Sequence, residues 1–95
     1  MQKESEKSLE VHLVNAVKAR GGLAIKNTSQ FHRGLPDRAV LLPGGHISFV
    51  EMKSTGCKPT ALQLRAHEQL RHMGFRVEVI DTTEKLDAFL NSLPK

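Results

Sequence analysis

Asp37, Glu51 and Lys53 stand on strand-like runs within "GLPDRAVLLPGGHISFVEMKS", Gly34 to Ser54. Charged residues are poor strand formers and costly to bury, so they belong there only if solvated or used. The two runs, "DRAVLL" and "HISFVEMK", are joined by Pro43-Gly44-Gly45. Proline suits the first position of a type I turn, and Gly45 suits the left-handed position that closes a three-residue loop. That loop pairs Leu42 with His46 and, counting back, Asp37 with Glu51, with Cβ atoms about 4.5–5.5 Å apart on one face. Lys53 points the same way, as do Ile47 and Phe49, so an apolar floor runs into a polar end. A two-residue Gly-Gly loop would set Asp37 opposite Met52 and part the charges across the sheet.

Two carboxylates held that close repel, and one lysine relieves this only in part. Magnesium or manganese would relieve it fully: each takes hard oxygen ligands from one or a few carboxylates and keeps water or substrate phosphate on its other positions. Such an ion activates water and neutralises charge on a phosphorus centre. A lysine beside it can orient the attacking water or stabilise the transition state. The competing reading is a solvated cross-strand ladder of ion pairs. Spacing alone leaves both open.

The elements that must position these residues follow from periodicity. Leu9, Leu13, Val14 and Val17 recur at helical spacing in "SEKSLEVHLVNAVKARGG", with Ser5 or Ser8 to cap the start and Gly21-Gly22 to stop it. "LAIK" is a short strand, and "NTSQFHRGLP" is a polar loop. After the hairpin and the turn "STGCKP", "TALQLRAHEQLRHMG" predicts a helix capped near Thr60 and ended by Gly74, with Leu62, Ala66, Leu70 and Met73 as its core stripe. "FRVEVID" alternates as a half-buried strand, and "TTEKLDAFLNSL" closes as a helix with Leu86, Phe89, Leu90 and Leu93 on one face. No internal repeat or low-complexity tract interrupts this order of helix, three strands, helix, strand, helix.

With 95 residues the chain is expected to form one domain, residues 1–95, around one modest core. No apolar run approaches the ~20 residues of a membrane span, and no signal-peptide core follows the charged start, so the cytoplasm is the expected place. The lone Cys57 allows no internal disulfide and no multi-cysteine zinc site. The five histidines show no ligand spacing, and no glycine-rich phosphate loop points to a nucleotide cofactor. A net charge of +4 suits a polyanionic partner. With no Trp, no Tyr and four Phe, recognition of nucleic acid would rest on backbone and shape rather than stacked bases.

Gly34-Leu-Pro-Asp37, a hairpin, Glu51-Met-Lys53 and then Gln63 early in the next helix together resemble the VRR-NUC (virus-type replication-repair nuclease) domain of the PD-(D/E)XK nuclease superfamily. The likeness runs from the first helix through "GFRVEVID" and includes small stand-alone members from phages and bacteria. It implies an α/β restriction-endonuclease-like fold, a mixed sheet flanked by helices. It also implies Asp37, Glu51 and the Met52 carbonyl as ligands of Mg²⁺ or Mn²⁺, with Lys53 as the catalytic lysine. A first-helix glutamate would complete the acidic set: Glu10, one turn before Leu13 and Val14, is the first choice and Glu6 the second. Gln63 would contact the site or a phosphate.

The resemblance implies a metal-dependent DNA endonuclease, selective for branched DNA such as four-way (Holliday) junctions and acting as a homodimer, in the host cytoplasm if phage-encoded. Lys26, His32, Arg33 and Arg65 are candidate DNA contacts, with the rest of the loop from Asn27 and with His72 on the second helix. Two other classes stay open: a non-catalytic DNA-binding module of the same fold, and a protein-interaction domain carrying a surface ladder. Metal binding separates the last from the others, and cleavage separates the first two.

Overall fold

A computed structural model describes residues 5–28 and 34–94. The chain runs α1 (Glu6–Ala19), β1 (Leu23–Lys26), β2 (Arg38–Leu42), β3 (His46–Met52), α2 (Ala61–His72), β4 (Arg76–Ile80) and α3 (Thr83–Asn91). The strands form one sheet in the order β1-β2-β3-β4, antiparallel except for the parallel β3–β4 pair. This is the α/β order expected, and the strand that begins at Arg38 leaves Asp37 just outside the ladder.

The helices start where hydroxyl side chains can satisfy their free N–H groups. The Ser5 Oγ accepts from Ser8 N–H, Thr60 from Gln63 N–H, and Thr82 from Lys85 N–H. Alternation along β3 then sorts its side chains. Val50 and Met52 join Leu9, Leu13, Val17, Val40, Ile80, Leu86, Phe89 and Leu90 in a core beneath α1 and α3. Phe49 and Glu51 point to the opposite face, which α2 covers over β4. There Phe49 meets Phe75 edge to face at 5.5 Å.

The rotation of α2 differs from the expected stripe. Its buried residues are Ala66, His67 and Leu70, while Leu62 is 47% and Met73 64% exposed. One helix lying over one side of the sheet buries a narrow stripe, and packing rather than apolar content chose which.

The hairpin has the three-residue loop: Leu42 pairs with His46, and both Gly44 and Gly45 have positive φ. The ladder continues to Arg38 opposite Val50, which leaves Asp37 facing Glu51. Cys57 is free and exposed. Among the described residues no helix is long and apolar enough to cross a membrane.

Candidate active site

Asp37 is delivered by a chain that must pass close under α2. Gly34 has φ +86°, and a Cβ there would lie 2.7 Å from the Leu62 carbonyl oxygen, so glycine is required twice over. Pro36 is fully buried beside it. The Asp37 carbonyl then accepts from Asn27 N–H at 2.7 Å, and its Oδ2 accepts from Met52 N–H at 2.9 Å. Backbone and side chain of Asp37 are thus tied to β1 and β3 respectively. In an extended strand the N–H and C=O of one residue point to the same edge. The Met52 carbonyl therefore shares the Asp37 side of β3, while Lys53 N–H bonds the other way, to the Ile80 carbonyl at 2.9 Å.

Glu51 is 1% exposed. Burial, the hydrogen bond and charge of Asp37, and to a lesser degree the charge of Glu6 push its carboxyl up to about 8, against the opposing pull of Lys53. The solvated ladder is thereby set aside as a description of this pair. A surface ion pair looks like Asp81–Lys85, joined at 2.9 Å with the lysine side chain 60% exposed. Lys53, half-buried, carries its charge toward both Glu51 and His67.

Sequence reasoning missed His67. It is fully buried, with Nε2 3.5 Å from Glu51 Oε1. Burial first, then the charges of Arg71 and Lys53, hold its imidazole below the usual range, with Asp37 opposing. With Glu51 raised and His67 lowered, the two meet as neutral groups at neutral pH rather than as an ion pair. The available signal was its place one turn after Gln63 and beside Ala66 and Leu70.

Glu10 is engaged with Arg38 in this structure. Arg38 donates to its Oε1 from Nε at 3.0 Å and from a terminal nitrogen at 2.6 Å, and donates also to the Ala24 carbonyl. Arg38 and Asp37 are consecutive, so their side chains leave opposite faces of the sheet. Glu10 follows Arg38, and the charge of Glu6, the second choice, is felt at Glu51. Gln63 is also committed locally: its Oε1 accepts from Thr60 N–H at 2.9 Å in a capping box. Lys26 and Arg65 are exposed. Lys26 borders a cleft of about 520 Å³ whose wall includes Ile25, Pro36, Ala39 and Phe49. His32 and Arg33 lie outside the described residues.

Among the described residues no three His, Cys, Asp or Glu side chains gather into a closed metal cage. The donors that do meet suit a different ion. The half-buried Asp37 carboxylate, the buried Glu51 carboxyl and a backbone carbonyl on the same side form an open, all-oxygen half-site. That fits Mg²⁺ or Mn²⁺, which leave positions for water and phosphate.

A mixed sheet whose central hairpin ends in a carboxylate pair and a lysine, flanked by helices on both faces, is a restriction-endonuclease-like fold. A solved structure described as a VRR_NUC domain matches 96% of this chain and 100% of its own length, with a TM-score of 0.85 and 31% identity. "Putative nuclease p44" of Acyrthosiphon pisum secondary endosymbiont phage 1 is 49% identical over 79 residues, 83% of this chain and 85% of that protein. No family model matches the chain. The chain belongs to the VRR-NUC family.

Proposed function

We propose that the nuclease defined by this family membership is a metal-dependent DNA endonuclease that hydrolyses phosphodiester bonds. The observation that carries the reading is the Asp37–Glu51 pair, in which burial and Asp37 push the Glu51 carboxyl up to about 8 against the pull of Lys53. Asp37, Glu51 and the Met52 carbonyl would hold Mg²⁺ or Mn²⁺, with Glu6 contributing from α1. When bound, the ion supplies an activated water and charge neutralisation at the phosphate. Lys53 orients that water or stabilises the charge that develops on the phosphate oxygens. Asp37 is itself held in place by Met52 N–H.

The partner is DNA, contacted from Lys26, Arg65 and the neighbouring basic residues. Branched DNA, four-way junctions above all, is the proposed substrate, because a twofold homodimer would present two sites for symmetric cuts. The test is incubation with labelled duplex, flap and four-way-junction DNA in Mg²⁺, Mn²⁺ or EDTA. Cutting should need the metal and favour the junction. Glu51→Gln and Lys53→Ala should each remove most of the rate, about 10²–10³-fold. Full activity in EDTA, or in the Glu51 variant, would sink the assignment.

A further inference from the structure

His67 is the buried group that this mechanism leaves unused. Its ring is 0% exposed, and neither Nδ1 nor Nε2 has a hydrogen-bond partner among the described residues. The Glu51 Oε1 that it faces at 3.5 Å is likewise buried and unpartnered. Buried polar atoms are almost always satisfied, so three orphans in one place indicate a contact completed in the working state.

We propose that His67 is a positioning residue whose Nε2–H donates to Glu51 Oε1 and fixes that carboxylate, turning its other oxygen toward Asp37 and the metal. A neutral imidazole has one donor and one acceptor nitrogen. A proton on Nδ1 would bury an unsatisfied donor and leave two acceptors, Nε2 and Oε1, facing each other. A proton on Nε2 removes both problems and leaves only an unpaired acceptor. A Glu51 that ligates a metal carries no proton of its own, so the donor must be the histidine. The helix register supports this: Ala66 and Leu70 seat α2 on the sheet, and His67 on the same stripe cannot swing away. Hydrogen bonds of this kind orient a ligand and raise its basicity.

The inference rests on the nuclease reading, and its test separates the two. Mn²⁺ binding without DNA would be measured by calorimetry for the wild type, His67→Leu and His67→Gln, the last placing an amide NH₂ near the Nε2 position. His67→Leu should weaken Mn²⁺ by about 10–100-fold, and His67→Gln should recover most of that loss. Equal binding by all three, or a Gln variant as weak as Leu, would overturn the positioning role and leave the nuclease reading standing. A wild type that binds no Mn²⁺ and cuts no DNA would remove both. One readout needs no variant: nitrogen-15 spectra of the Mg²⁺-loaded wild type should show His67 as the Nε2–H tautomer. The Nδ1–H tautomer there would overturn the proposal.

Discussion

On β3, Val50 and Met52 point beneath α1 and α3, while Glu51 between them points beneath α2. The first face is filled by Leu, Val, Ile, Met and Phe, with Leu13, Val17, Val40, Val50, Met52 and Leu86 fully buried. The second buries Glu51 and His67 together and leaves Ile25, Ile47 and Leu62 partly in solvent. Burial on the α1/α3 face removes apolar surface from water and stabilises the fold. On the α2 face burial desolvates the Glu51 carboxyl beside Asp37, which costs stability when both are charged and pushes Glu51 up to about 8. The same strand serves both because its side chains alternate.

Breaking one contact on each face should give opposite signs. Leu13→Ala should lower stability by about 2–5 kcal/mol in urea melts, since a fully buried leucine leaves a cavity. Glu51→Gln, without metal, should hold or raise it. A loss in the Glu51 variant comparable to that of Leu13→Ala would mean that the α2 face is an ordinary structural core.

The same contrast has a pH signature. Folding raises the Glu51 carboxyl from 4.5 to about 8, so between those values the folded protein binds the extra proton. The stabilisation it brings is present below pH 4.5 and is lost as pH rises through 8. In EDTA the wild type should therefore weaken relative to Glu51→Gln across that window, by on the order of a few kcal/mol. Asp37→Asn should show the same direction, since it removes the neighbouring charge. Parallel pH profiles for the wild type and both variants would contradict the buried-pair account.

Metal should reverse that cost. Mn²⁺ at a hundredfold excess over its Kd should stabilise the wild type by ~2.7 kcal/mol, read as a higher melting temperature. The Glu51→Gln and Asp37→Asn proteins should respond much less. Equal shifts in all three would place the ion elsewhere.

The smallest effect sharpens the division along α1. Glu10→Gln should cost about 1–2 kcal/mol by weakening the charged hydrogen bonds from Arg38, with Mn²⁺ affinity unchanged. Glu6→Gln should do the reverse, keeping stability and weakening Mn²⁺. Calorimetry beside urea melts would resolve the two, and a Glu10 variant that loses the metal would restore Glu10 to the site.

Much of the molecule was legible in short stretches. The element order, the caps at Ser5 and Thr60, and the buried stripes of α1 and α3 follow from residues a few positions apart. The register that faces Asp37 with Glu51 is set by the three residues of one turn. Other features needed the assembled fold. Glu6 and Glu10 lie one turn, about 6 Å, apart on α1, and only the exit of Arg38 from β2 on the face opposite to Asp37 decides that Glu10 pairs with Arg38. Gln63 is taken by its own helix cap, and the rotation that buries His67 while exposing Leu62 and Met73 is set by packing over β3 and β4. Turns, caps and periodicity are energies between near neighbours, so the sequence alone carries them. Burial, and with it the raised pKa of Glu51, sums contributions from segments far apart in the chain, so only the tertiary structure decides it.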